Sequence, residues 1–388
     1  MNSLDERYAW YRQLHGAGPI HTLDSGAHLV VGHHAVAAGL REPRFHSNKK
    51  TQFFARFAKL APDVRSRLEF FYSGWLMYMD GDHHREYRAL TARALGSFSE
   101  NLTTHARTFC EARNHSGHID VLEEFARPWV RQAMPLFLGC SRAAYEQMLA
   151  ASCSVLDFFI GRRSAPKDAE SAAHAYEVLT QHLLETPGQQ GFLASLNAAM
   201  PDDPLAVPLA ASIIADTWEP VVALLAAGLL HGCGHINRDS IRDRTFFREV
   251  LRVEAPFQIC NRVVGEDGLS IAGVPMTRGQ RVSFVIGAAN RDPTVFREPD
   301  RFDPNRAELG SALSFGAGPH ACIGGRLAEE VCRAGWTGFA STFPIARLRP
   351  KAFTWRPVFG LRILDELVLE TLPSTDCAEV NPNECQAY

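Results

Sequence analysis

SFGAGPHACIGGRLAEE, Ser314 to Glu330, places a single cysteine, Cys322, among four glycines, Gly316, Gly318, Gly324 and Gly325. A helix is predicted to follow at once, from Ile323 to about Thr342, because the apolar positions recur with helical spacing. Glycines let the backbone take tight or positive-φ turns around the sulfur. Amide donors and a helix N-terminus stabilise negative charge there. A thiolate held in this way is a metal ligand or a nucleophile. A small buried cysteine in a glycine turn is the plainer alternative.

Five further segments lie upstream. EVLRVEAP carries Glu249 and Arg252 three residues apart on one helix face. RVVGED begins at Arg262, AANRDP spans 288–293 and DRFDPNR spans 300–306. Much earlier, MDGDHHREYRAL sets His84 and Arg88 four residues apart, one above the other on a helix. Taken alone, Glu249 and Arg252 would suit a surface ion pair, and His84 and Arg88 a solvated basic face.

Together the pieces resemble the cytochrome P-450 family, whose cysteine loop reads Phe-Gly-x-Gly-x-His/Arg-x-Cys-x-Gly. Phe315, Gly316, Gly318, His320, Cys322 and Gly324 match it. The resemblance runs over roughly residues 18 to 370. It implies a mainly α fold with small β-sheets and one large domain over residues 1–372; the polar composition of 373–388, outside the resemblance, predicts a flexible tail. It also implies haem b, iron protoporphyrin IX, between a central helix and the cysteine loop. In that setting Cys322 is the axial thiolate on iron, which pushes electron density toward O–O cleavage. Phe315 and Gly324 pack beside it, and His84, Arg88, Arg262 and His320 meet the propionates. Glu249 and Arg252 become the structural Glu-x-x-Arg pair, with Asn290, Arg291 and Phe302 in supporting roles.

One segment departs from the family pattern. The central helix is SIIADTWEPVVALLAAGLL, Ser212 to Leu230. Relatives usually carry Ala-Gly-x-Asp/Glu-Thr there, with small residues over the haem and an acid–alcohol pair that delivers protons. Aligning Gly228-Leu229-Leu230 puts Glu219 at the acid and Pro220 at the alcohol. A rival register takes Asp216 and Thr217 as the pair but sets Ile213 and Ile214 where small residues belong. Proline inside a helix removes an N–H and clashes one turn back, so a kink or opened turn is expected near Asp216. Loss of the hydroxyl removes a donor for a water beside bound dioxygen. Glu219 is then the candidate catalytic residue.

Composition bounds the rest. The 388 residues are 46% hydrophobic and 21% charged, with net charge −3 and no long Lys/Arg run, so no nucleic-acid footprint is seen. Nine cysteines without a Cys-x-x-Cys pair argue for reduced thiols in the cytoplasm. The N-terminus lacks a signal-peptide pattern. The most apolar run, Val221 to Leu230, extends to about a dozen residues, short of the ~20 that span a bilayer, so no membrane partner is expected. Between residues 18 and 45 a small hairpin and a helix are predicted, then helices from Asp82 to Leu230 with a break over Pro201 to Pro208, then short strands.

The expected activity is oxidation of a small secondary metabolite by an oxidoreductase of monooxygenase type with altered proton delivery. Oxidative coupling, peroxide-driven oxidation or group transfer would then replace simple hydroxylation. Electrons, where needed, would come from ferredoxin and ferredoxin reductase. An ordinary ferredoxin-dependent hydroxylase and a catalytically silent haem-binding relative are the alternatives. The aromatic residues Phe53, Phe54, Phe57, Phe70, Phe71, Tyr72, Trp75 and Tyr78 either cover an aromatic substrate or pack as core.

Overall fold

The computed structural model describes residues 4–96, 101–113, 117–163, 165–185, 190–233 and 240–372; the expected tail, 373–388, lies outside them. In chain order the helices are α1 (Leu4–Ala17), α2 (His33–Arg41), α3 (Lys50–Ala55), α4 (Pro62–Gly74), α5 (Gly81–Leu95), α6 (Leu102–Glu111) and α7 (Arg127–Leu138). They continue with α8 (Arg142–Phe159), α9 (Pro166–Glu185), α10 (Gly191–Ala199), α11 (Ala206–Gly232), α12 (Arg244–Val253), α13 (Ile286–Ala289) and α14 (Gly325–Thr342). The strands are β1 (Ile20–Thr22), β2 (His28–Val30), β3 (Phe45–His46), β4 (His118–Asp120), β5 (Ile259–Val264), β6 (Leu269–Ile271), β7 (Val274–Met276), β8 (Arg281–Val285), β9 (Leu348–Trp355) and β10 (Leu364–Thr371). The mainly α architecture with small sheets is the one the sequence implies.

Two compact units form. The first comprises Met1–Phe45, Asn101–Val130 and Glu219–Tyr388; the second comprises His46–Glu100 and Arg131–Trp218.

In the first unit a five-stranded sheet has the order β1-β2-β8-β5-β3. The β1–β2 hairpin is antiparallel, and β2 runs parallel to β8. Val30, Val36, Leu40, Val264, Val282, Phe284 and Leu313 fill one core beneath it. A three-stranded sheet, β4-β10-β9, and the hairpin β6–β7 complete the β structure. Helix α14 is clamped from several sides. Trp336 donates Nε1–H to the Leu225 carbonyl at 3.0 Å, and its ring fills the place a side chain on Gly228 would need. A Cβ on Gly338 would stand 2.5 Å from the Ala106 backbone, so glycine there is what lets α14 close on α6. Trp129 Nε1–H reaches the Val331 carbonyl at 3.0 Å.

In the second unit α8 packs on α9, α4 on α9, and α5 on α10. Phe54, Phe71, Tyr72, Trp75 and Tyr78 are buried there. Tyr72 stacks on Tyr78 at 4.2 Å, and Phe159 stands edge-on to Trp75 at 5.7 Å. These five rings pack in the core of the unit, while Phe53, Phe57 and Phe70 of the same aromatic set are half-buried.

Helix α11 differs from expectation in two ways. It runs as unbroken α-helix through Pro220, without the opened turn expected near Asp216. The ring costs one hydrogen bond, to the Asp216 carbonyl, and the turns on either side continue around it. Thr217 Oγ1 also bonds back to the Ile213 carbonyl at 2.6 Å, a local bond common where helices bend. Second, α11 has 27 residues and is long and apolar enough to cross a membrane, more than the dozen residues read from the sequence. Of its most apolar window, 72% is buried inside the protein, the ordinary state of a core helix. The N-terminal start, Ala206, precedes Pro208, which sits in the first turn where a missing N–H costs nothing.

Candidate functional site

The cysteine loop is held from its base. Glu249 and Arg252 on α12 form a two-pronged ion pair, Nε to Oε2 at 2.7 Å and Nη2 to Oε1 at 2.8 Å, with both side chains fully buried. The remaining lone pairs and N–H groups are satisfied. Glu249 Oε1 accepts from the Asp303 amide at 2.8 Å and from Arg306 Nε at 3.2 Å. Arg252 Nη1 donates to the carbonyls of Asn290 and Pro299 at 2.9 and 2.8 Å. A buried pair so completely bonded is the geometry in which mutual attraction offsets desolvation.

From this pair the chain of contacts runs to the sulfur. Asn290 Oδ1 accepts from the Leu313 amide at 2.7 Å, and its Nδ2 donates to Ser314 Oγ at 2.7 Å. Ser314 Oγ–H bonds the Leu251 carbonyl at 2.6 Å. The Cys322 amide then donates to the Phe315 carbonyl at 2.7 Å, closing the loop on itself. Gly316 and Gly318 both sit at φ +70, in the left-handed region the sequence reading anticipated. Gly318 has a second reason to be glycine: a Cβ would stand 2.6 Å from Arg41 Cα and from the Leu40 carbonyl oxygen. Phe315 lies 3.3 Å from the place of a Cβ on Gly325, so the ring covers the start of α14. That helix begins at Gly325, with Gly324 as its cap, two residues later than predicted.

Among the described cysteines Cys322 alone is exposed. Burial pushes the thiol of Cys110 up to about 12 and that of Cys140 up to about 11, so these two stay protonated. Cys332 is pushed higher still by burial. No group of three or more His, Cys, Asp or Glu side chains is placed to hold a metal ion among the described residues. A single thiol in a rigid loop at a helix start is thus a donor set for a metal that brings its other ligands with it, as a porphyrin does.

The remaining predicted residues fall as follows. His320 ends a short 3-10 turn, Gly318–His320, in the same loop. Arg262 is half-buried on β5, its Nη1 donating to the Asn261 carbonyl at 3.0 Å. His84 is buried on α5 in the second unit, and Arg88 stands one turn further along the same face. Gly81, at φ +67, opens α5 after Asp80, whose carboxylate accepts from the amides of Ser47 and Asn48 at 3.0 and 2.8 Å.

Fold and loop agree with the comparisons. A profile of the family described as Cytochrome P450 matches residues 244–334. The "Biotin biosynthesis cytochrome P450" of Bacillus subtilis (strain 168) is 26% identical over 94% of this chain and 96% of its own. The chain belongs to the cytochrome P450 family. The "6-deoxyerythronolide B hydroxylase" of Saccharopolyspora erythraea is another P450 relative, 25% identical over 93% of this chain and 94% of its own. The solved structure of P450BioI in complex with hexadec-9Z-enoic acid ligated acyl carrier protein superposes with a TM-score of 0.80 at 23% identity, covering 95% of this chain and 98% of that one. As a P450 the protein is an oxidoreductase that binds haem b.

Two features of this P450 were not legible from sequence. Glu219, the candidate catalytic acid, pairs with Arg356 at 3.0 Å, and Arg356 also holds Asp365 at 2.8 Å. Although burial opposes its charge, Arg356 is pushed further toward the protonated state by the hydrogen bonds to these two carboxylates. Asp216, one turn before Pro220, accepts from Trp75 Nε1 at 2.9 Å. Burial pushes its carboxyl up to about 7, only partly offset by that bond. Its position in the rival register was the one sequence signal; the partner, 141 residues away, gave none.

Proposed function

We propose that the protein is a haem-thiolate oxidoreductase of small-molecule, secondary metabolism in which Cys322 is the axial ligand. Phe315 and Gly324 would pack around the sulfur. His84, Arg88, Arg262 and His320 would take the propionates, which as paired anions need the imidazole and guanidinium donors these side chains supply. Haem b, when bound through such a thiolate, supplies oxidising chemistry.

The observation that carries the finer reading is Pro220 within an intact α11. A hydroxyl at this position could hold a water on the distal side; a pyrrolidine ring cannot donate or accept there. Glu219 is the proposed proton-handling acid, and its pairing with Arg356 makes its carboxylate a positioned group rather than a swinging one. Proton supply is thereby slower than in a P450 with the acid–alcohol pair. Reactions that need fewer delivered protons fit best: oxidative coupling, peroxide-driven oxidation or group transfer. Ferredoxin and its reductase are the proposed electron donors where electrons are required.

The test compares product formation from a panel of aromatic metabolites under three conditions. These are ferredoxin, reductase and NADPH in air; peroxide alone; and reduced protein without O2. Products are read by mass spectrometry with labelled O2. Product lacking the label, or formed without O2, is the expected result. Label incorporated only in the electron-driven arm would return the protein to ordinary monooxygenation. A purified protein without a thiolate-type absorption spectrum would remove Cys322 from the iron.

A further inference from the structure

Asp216 is a carboxyl in a place where an amide would serve the fold equally well. Asp216 is half-buried; its Oδ2 accepts one hydrogen bond, from the fully buried Trp75, and asparagine could accept the same bond without the cost of partly desolvating a charge. Oδ1 has no protein partner among the described residues. The environment is aromatic: Trp75 lies edge-on to Phe159 at 5.7 Å, and Tyr78 to the same ring at 6.0 Å. Among the described residues no Lys or Arg acts on the carboxyl, and the one other titratable group that acts on it is Tyr78, whose phenol burial keeps protonated throughout the neutral range. Arg131, over the Trp218 ring at 4.8 Å two residues along α11, is already paired with Glu146 at 3.1 Å. What the aspartate adds is therefore a negative charge awaiting a cation.

We propose that Asp216, oriented by Trp75, is the specificity residue for a cationic nitrogen of the substrate, which makes the substrate class an amine carrying an apolar or aromatic body. The inference rests on the reading of α11 as the substrate-side helix of a haem-thiolate enzyme. A ligand ammonium supplies the missing counter-charge in a low-dielectric setting, where such a pair discriminates strongly against neutral and anionic analogues. A carboxyl near neutrality takes up this role as it ionises.

The test uses the haem-loaded protein and two probes of one shape, benzyltrimethylammonium and its neutral isostere neopentylbenzene. The quaternary cation has no lone pair for iron, so its binding reports charge alone. Affinities come from calorimetric titration at pH 6 and pH 8. The cation is expected to bind about tenfold more weakly at pH 6, since the ionised fraction of a group titrating near 7 falls by that factor. Asp216→Asn should abolish this pH dependence and weaken the cation at least about tenfold at pH 8, leaving the neutral probe within about twofold. Trp75→Phe, a second variant, removes the donor that favours ionisation and should move the pH midpoint upward with cation binding retained at high pH. Equal losses for both probes, or an unchanged cation, would overturn the proposal. The absorption spectrum of each sample separates the two failures. An intact thiolate signature without charge discrimination refutes only the anchor, whereas a missing signature refutes the enzyme reading beneath it.

Discussion

Replacing Arg252 by methionine should unfold the logic of the cysteine loop from its base. The substitution keeps much of the volume and removes five hydrogen bonds. Two go to Glu249, and one each to the carbonyls of Asn290, Pro299 and Arg301. It also leaves the Glu249 carboxylate buried with only Arg306 Nε at 3.2 Å and the Asp303 amide at 2.8 Å. Breaking one side of a buried ion pair costs about 3–5 kcal/mol, and the surviving Arg306 contact places this case near the lower figure, about 3 kcal/mol. Urea unfolding should show that loss as a lower midpoint with unchanged slope. Arg12→Met is the control: its pair with Asp300, 2.7 Å long, has side chains 60% and 38% exposed, and should be worth less than about 1 kcal/mol. Because Asn290 holds both Leu313 and Ser314, Arg252→Met should also release haem faster than wild type. Equal stability losses in the two variants would refute the argument that burial and full bonding, rather than the presence of an ion pair, secure the loop.

Three further outcomes follow from the geometry. Glu254 is buried against Arg362 at 2.6 Å and His231 at 3.1 Å. Burial alone would raise its pKa, but these partners hold it below the usual carboxylate range. A depressed folded-state pKa gives stability that is present above the unfolded value of about 4.3 and lost as pH falls below it. Unfolding midpoints measured between pH 6 and pH 3 should therefore fall less steeply in Glu254→Gln than in wild type. Gly318→Ala should cost at least about 2 kcal/mol and impair haem uptake, from the positive φ and the backbone contact at 2.6 Å combined. Gly310→Ala, with open space at the same test, should be near neutral by thermal unfolding. Pro220→Thr should restore one helical hydrogen bond and stabilise α11 by up to about 3 kcal/mol. It should also raise the share of labelled oxygen in product under ferredoxin-driven turnover, and an unchanged share would separate Pro220 from proton delivery.

What could be read from the sequence was spacing within one element. The glycines around Cys322 and the three-residue interval of Glu249 and Arg252 declare themselves because helix and turn geometry fix them locally. What could not be read was the partner. The same interval describes a surface pair worth a few tenths of a kcal/mol or a buried one that organises a loop. The difference lies in Asn290, Asp303 and Arg306, 38 to 57 residues away. The proline shows a different limit. Local rules predict a kink or an opened turn; no turn opens in α11, whose C-terminal half is tied to α14 through Trp336 and Gly228. Acids are the hardest case, since a carboxylate's chemistry is set almost wholly by what faces it. Glu219 and Asp216 are three residues apart on one helix, and both were candidates for one role. Arg356, 137 residues from the first, holds it in an ion pair; the second takes its bond from Trp75, 141 residues away, and burial pushes it toward the neutral acid against that bond. Two acids on one turn thus differ in what faces them: a guanidinium of the protein pairs with Glu219, whereas Asp216 receives only an indole N–H, and the proposed substrate cation would complete the second site as Arg356 completes the first.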